Sequence, residues 1–217
     1  MTQKKQFAVL GLGRFGQKVA KELCLRGHEV VVMDKDEGKV NTIKDLVTHA
    51  YIGDMTDEGA LREASVQNCD IVVVGQSSNI EANLLAVQLC QELGVKEIVV
   101  KAQSTLHGKI LKKLCVDFIV YPEQDTAVKL ADKLTMKGIM DYMELSKEFD
   151  VIELKSLPEF SNRKLKDLDF RKRYNVTVLA IRRGSESIMS PDGETVINNG
   201  DILILLGKIE DMEKLSR

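Results

Sequence analysis

One stretch of this 217-residue sequence is equipped to hold a phosphate, and a carboxylate placed beyond it is equipped to hold the sugar attached to that phosphate. Gly11-Leu12-Gly13-Arg14-Phe15-Gly16 follows directly on the apolar run Phe7-Ala8-Val9-Leu10, and Asp34 stands eighteen positions after the last glycine. Gly11 permits a tight turn off a strand, and Gly13 lets backbone N–H groups approach a phosphate with no side chain in the way. Gly16 lets the following helix pack close to the strand. The N-terminus of that helix presents unpaired N–H groups and the positive end of its dipole to an anion. Asp34, at the end of the run Glu29-Val30-Val31-Val32-Met33, sits where a carboxylate accepts hydrogen bonds from ribose hydroxyls. The pattern predicts a nucleotide site. Its bland alternative is the same fold without a ligand.

Other residues fall at the ends of apolar runs, where a ligand of such a fold would lie. Asp54, after Gly53, either meets a hydroxyl or an adenine amine or caps the helix that starts near Asp57. Gly75 is followed by the polar run Gln76-Ser77-Ser78-Asn79, in which Asn79 either caps the next helix or faces the ligand. Lys101 either meets a phosphate or is solvated. Glu123, after Tyr121-Pro122, either joins a Mg²⁺ ion held partly by phosphate oxygens or faces the dipole of the helix it opens. His28, His49 and His107 do not cluster with cysteines or acids at metal-ligand spacing and read as structural. Cys24, Cys90 and Cys115 fall on the apolar sides of helices and Cys69 precedes a strand, so all four read as reduced core residues. The cluster Phe170-Arg171-Lys172-Arg173-Tyr174 is either a solvated helix end or an anion pocket. No Gly-x-Ser-x-Gly elbow and no zinc signature occurs.

Positioning these residues requires a particular scaffold. Short apolar runs at 7–10, 30–33, 49–52, 71–74, 98–100 and 118–120 alternate with helical spacing at 15–25, 37–46, 57–65, 80–93 and 106–114. Runs so short and so evenly apolar read as parallel strands buried on both faces. Six strands with right-handed crossovers make a doubly wound α/β sheet of Rossmann type, here over residues 1–122. Residues 123–148 read as linker helices, helical from 123 to 145, with a kink or break at Gly138. Residues 149–217 read as a small α+β module. It has strands at 151–154, 176–182 and 201–206, a short helix at 164–173, a turn at Ser190-Pro191-Asp192-Gly193 and a closing helix at 210–215.

Composition excludes some classes. With 31 basic and 33 acidic residues there is no electrostatic reason to expect nucleic-acid binding. No apolar run has the eighteen residues of a membrane span, and the chain start has no signal-peptide core. These features predict a cytosolic protein with no direct membrane insertion. An NAD-dependent oxidoreductase is the alternative from another class, because Asp34 suits the free ribose hydroxyls of NAD. Such an enzyme also needs a positioned acid or base, and no histidine follows Phe149.

Along nearly its whole length the sequence resembles the bacterial RCK family (TrkA-N plus TrkA-C), in its Ktr-type branch of cytosolic subunits that regulate a potassium transporter. The run 7–16, with an arginine inside the glycine pattern, is similar to the family's opening strand and phosphate loop. So are Ile52-Gly53-Asp54-Met55-Thr56-Asp57-Glu58, Asn79-Ile80-Glu81-Ala82, Val100-Lys101-Ala102-Gln103 and Tyr121-Pro122-Glu123 at later strand ends. The second module resembles the family at 165–174, 175–183 and 200–207, and Gln17 departs where relatives often carry a further glycine. The resemblance implies a regulator and no enzyme. It implies dimers assembled into an octameric ring, docked on a membrane-embedded transporter at the inner face of the membrane. It implies ATP and ADP competing in the glycine-loop site, with NAD(H) a further ligand, around Gly11, Gly13, Arg14, Phe15, Gly16, Asp34, Lys35, Asp54, Met55, Gly75, Asn79 and Lys101. It places Mg²⁺ or another cation at Glu123. It also implies cyclic di-AMP on the second module, near Arg171, Asn175 and Val176.

Overall fold

The fold was taken from a computed structural model, which describes residues 4–135, 139–146 and 148–216. The chain forms two compact units, Met1–Gln124 and Asp125–Arg217.

In the first unit, β1 (Gln6–Leu10), β2 (Glu29–Asp34), β3 (His49–Ile52), β4 (Ile71–Val74), β5 (Glu97–Lys101) and β6 (Phe118–Val120) form one parallel sheet in the order β3-β2-β1-β4-β5-β6. This is the Rossmann order, with the crevice where the order reverses, between β1 and β4. Val9, Val32, Val72, Val74 and Val100 are all fully buried, as β-branched residues in a sheet covered on both faces should be. Leu61, Val87 and Leu111 pack one face, and Ala20, Val40 and Ile43 the other. The edge strands depart from the expectation of double burial. Ile52 on β3 and Phe118 on β6 are 58% and 63% exposed, because an edge has a neighbouring strand on one side only.

The connecting helices are α1 (Arg14–Leu25), α2 (Glu37–Ile43), α3 (Glu58–Glu63), α4 (Ile80–Glu92) and α5 (Thr105–Lys113). α2 and α3 are shorter than their apolar spacing suggests, each being followed by a 3₁₀ turn, Lys44–Leu46 and Val66–Asn68. Side chains of Asp36, Asp57, Asn79 and Ser104 cap α2 to α5, each satisfying backbone N–H groups that a helix start leaves without partners. Cys69 and Cys90 lie in the core, where burial pushes their thiols up to about 11 and about 12. Cys115 does not lie there: the chain leaves α5 after Lys113, and Cys115 is an exposed left-handed residue of the turn (φ 55°).

Among the described residues, the stretch expected to be helical to residue 145 is helical over α6 (Pro122–Thr135). It is followed by β7 (Ile139–Glu144), which pairs antiparallel with β8 (Asp150–Lys155). Apolar residues at 139 and 143 suit a helical period, but pairing with a strand outside that window decides the outcome. The kink expected at Gly138 lies outside the described residues.

In the second unit the expected helix at 164–173 divides into β9 (Arg163–Lys164), α7 (Leu165–Leu168) and α8 (Phe170–Tyr174), with Asp169 left-handed (φ 44°) between the two helices. Next come β10 (Thr177–Arg183), β11 (Glu186–Met189), β12 (Val196–Ile197), β13 (Ile202–Gly207) and α9 (Ile209–Met212). The main sheet runs β11-β10-β13-β8-β7, all antiparallel, and β12 pairs with β9. Ile152, Leu154, Phe160, Leu168, Ile181 and Leu203 form its core. β11 is too polar to show as an apolar run, and it forms as the return arm of a hairpin turning near Gly184 (φ 60°).

Candidate functional site

A cavity of about 370 Å³ lies at the carboxyl ends of the first unit's strands, lined in part by Gly11, Asp34, Lys35, Asp54, Met55 and Asn79. The glycines beside it have separate reasons. Gly11 is left-handed (φ +91°), and a Cβ there would come within 2.8 Å of the Gln76 backbone nitrogen. A Cβ on Gly16 would stand 2.1 Å from the Gly11 carbonyl oxygen, so only glycine lets α1 pack against the turn. Gly75, on the far side of the turn, packs similarly, its Cβ position 3.0 Å from the same oxygen. Gly13 is different: a Cβ there would meet nothing within 4 Å, so space lies open in front of it. Gly13 is also the N-cap of α1, and no side chain caps that helix, unlike α2 to α5. Arg14 and Phe15 open α1. Its first N–H groups are therefore the ones left for an anion.

Asp34 is buried at the end of β2. One of its oxygens accepts from the Leu12 N–H at 2.7 Å and the other from the Asp36 N–H at 2.9 Å, with the Lys39 ammonium 3.5 Å away. It thus holds the glycine loop in place. A carboxylate has about four acceptor positions, so two fixed N–H groups leave capacity toward the cavity it lines.

The sequence left two readings open at Asp54 and at Asn79. Asp57 caps α3, so that task is not Asp54's. Asp54 instead accepts from the Thr56 N–H at 2.9 Å and the Thr56 hydroxyl at 2.8 Å, which hold its carboxyl below its ordinary value. Asn79 does both: it accepts from the Ala82 N–H at 3.1 Å as the cap of α4, and it lines the cavity.

Lys101 and Glu123 meet at 2.6 Å, and the ammonium also lies 5.7 Å from the centre of the Phe15 ring. The hydrogen bond from Lys101 is the main cause that holds the Glu123 carboxyl low, and the charge of Arg14 adds to it. Glu123 also stands in the first turn of α6, so the helix-start reading describes its position. No group of three metal-ligating side chains occurs among the described residues. One carboxylate fits a cation only if ligand phosphate oxygens complete the shell, as Mg²⁺ sites often arrange.

His28 and His107 have structural partners. His28 accepts from the Lys5 N–H, and its ring lies tilted against that of Phe7, 5.1 Å between centres. His107 is buried behind the Ser104 cap, accepts from the Gln103 N–H, and is lowered by burial.

In the second unit, Arg171 is exposed on α8, and Asn175 is left-handed (φ 56°) and donates to Asp211 at 3.0 Å. Val176 is 1% exposed, so its side chain belongs to the core. The sequence reading did not single out Asp36, Lys39, Glu81 and Leu85, which line the same cavity. A signal for the last two was the spacing of four on α4, which puts Glu81 and Leu85 on one exposed face.

Residues 7–122 match the TrkA-N domain and residues 151–217 the TrkA-C domain. The chain belongs to the RCK family. Ktr system potassium uptake protein C of Bacillus subtilis is 42% identical over 214 residues, covering 99% of this chain and 97% of that one. Ktr system potassium uptake protein A of the same organism is 38% identical over 212 residues, 98% and 96% of the two chains. Those two place this RCK chain in the Ktr branch. The fold is also that of the GsuK RCK domain, with a TM-score of 0.67 at 16% identity, over 99% of this chain and 47% of that one. Among the described residues, no helix is long and apolar enough to cross a membrane.

Proposed function

We propose that this chain is a nucleotide-sensing regulatory subunit of a potassium-uptake system, without chemistry of its own. The observation that carries the proposal is the uncapped start of α1, facing open space at Gly13 beside a cavity that Asp34 lines. The adenosine of ATP or ADP occupies the cavity, with its ribose on Asp34 and Lys35, Asp54, Met55, Gly75 and Asn79 around it. Its phosphates lie on the N–H groups of the glycine loop and on Arg14, next to Phe15. The γ-phosphate separates the two nucleotides. It draws Lys101 away from Glu123 and frees that carboxylate for Mg²⁺ or another cation, so ATP and ADP favour different conformations. A ligand shifts such an equilibrium only by its differential affinity for the two states.

The Ktr relatives support a membrane-embedded potassium transporter as the partner, engaged from the cytoplasmic side. A homo-octameric ring built from dimers is the assembly we propose, with residues 1–122 as its nucleotide domain, α6 as the linker, and the second sheet as a second sensor, which takes in β7 from the stretch 123–148 expected to link the two. That sensor takes cyclic di-AMP at Arg171 and Asn175 and inhibits. NAD(H) is a further candidate ligand, because Asp34 also suits its ribose. Calorimetry on the intact chain with ATP, ADP, NADH and cyclic di-AMP tests this reading, paired with potassium uptake in cells. Binding of ATP and ADP, with uptake that differs between them, is the expected result. Binding of NADH alone, with substrate-dependent turnover, overturns it in favour of an oxidoreductase.

A further inference from the structure

Four carboxylates line the cavity: Asp34, Asp36, Asp54 and Glu81. Three are already engaged. Asp34 accepts from the Leu12 and Asp36 N–H groups. Asp36 caps α2 through the Lys39 N–H at 3.3 Å and has the Lys39 ammonium 3.8 Å away. Asp54 takes both the N–H and the hydroxyl of Thr56 on one oxygen, Oδ1, which fixes the direction of its carboxylate. Glu81, among the described residues, has no hydrogen bond or ion pair to its side chain. It stands in the first turn of α4, exposed, beside Ala82 and Leu85, and these two with Met33 and Met55 give the cavity its apolar surface.

A base needs that combination of surfaces. Its faces take apolar side chains, and its edge takes a few placed polar groups. We infer that Glu81 is a base-recognising residue, its carboxylate accepting the 6-amino group of adenine. The inference rests on the adenine-nucleotide reading above and adds to it the side chain that tells adenine from other bases. A carboxylate accepts only, so a base without a donor at that position forfeits a charge-assisted hydrogen bond. A carboxylate in a helix's first turn also stabilises the helix through its dipole. That role is indifferent to the base, so the two effects separate.

The test compares three probes on the intact chain by calorimetry: ADP, GDP, and purine riboside 5′-diphosphate, which has hydrogen in place of the 6-amino group. Wild type should bind ADP about fivefold more tightly than the purine analogue, a modest ratio because Glu81 is exposed. Glu81→Ala should bring the two to equal affinity by weakening ADP. Glu81→Gln, which keeps a neutral acceptor and the side chain's shape, should leave an intermediate ratio. Thermal melting of both variants checks that they fold. An ADP-to-analogue ratio that Glu81→Ala leaves unchanged overturns the inference while the nucleotide reading stands. So does GDP binding more tightly than ADP in wild type and losing that advantage in Glu81→Ala. If wild type binds none of the three, the nucleotide reading falls and the inference with it.

Discussion

Each unit buries an aspartate next to a turn, and the two are satisfied in opposite ways. Asp34 takes two backbone N–H groups, from Leu12 and Asp36, and lines the cavity. Asp201, 1% exposed just before β13, takes Arg183 through Nε at 2.9 Å and through Nη2 at 2.8 Å, and the Asn198 N–H at 2.8 Å. Arg183 also donates to the Val196 carbonyl, so the guanidinium fastens the turn before β13 to the start of β12. Burial therefore does not mark a carboxylate as functional. Backbone donors fix Asp34 while leaving acceptor capacity beside open space, whereas a guanidinium and an N–H use up most of Asp201.

Asp201→Ala should give the largest effect, a loss of about 2–3 kcal/mol in the second unit, because it takes the buried partner from the half-exposed Arg183 and orphans the Asn198 N–H. Denaturant unfolding would measure it, and a loss under about 1 kcal/mol would erase the contrast with Asp34. Acid sharpens the same contrast. Arg183 first, then the Asn198 N–H, hold the Asp201 carboxyl below its ordinary value, so the folded state gains its proton at lower pH than the unfolded chain. The stability it contributes is full above about pH 4 and is lost as pH falls below that. Asp201→Asn should flatten the acid limb of a melting profile, and an unchanged limb would show that other carboxylates govern it.

Asp34→Asn comes next. Asparagine keeps the shape and one acceptor oxygen but turns an NH₂ toward the second N–H, costing about 1–2 kcal/mol of stability. Nucleotide affinity should fall about tenfold or more, since loop and ribose contacts are lost together. A variant that melts earlier yet binds ATP and ADP normally would make Asp34 a second Asp201. The smallest effect belongs to Lys101→Gln. The Lys101 side chain is 13% exposed but its partner Glu123 is 73% exposed, so water screens the pair and it contributes about 1 kcal/mol or less. Stability should barely move, while the preference between ATP and ADP narrows; calorimetry reads the second and melting the first.

The contrast also explains what could be read from the chain. The glycine loop, Asp34 and the strand ends at 49–52, 71–74 and 118–120 are local signals, fixed by a turn, a close approach or a short apolar run. That Asp34 braces the loop through Leu12 was not legible, because the contact joins residues 22 apart in sequence. Nor was the Arg183–Asp201 pair, since 201 read only as the start of a strand. β7 was misread for the same reason: its six residues form a strand through β8, which they cannot announce by themselves.

That strand bears on how the chain can be divided. The TrkA-C match starts at residue 151, inside β8, yet β8 pairs with β13 on one side and with β7 on the other. A fragment cut at 151 would lose part of one strand and all of its neighbour, baring a row of backbone donors and acceptors beside Ile152 and Leu154. Such an edge recruits other chains and aggregates. A fragment that keeps this sheet whole must carry β7, and so begins before Ile139.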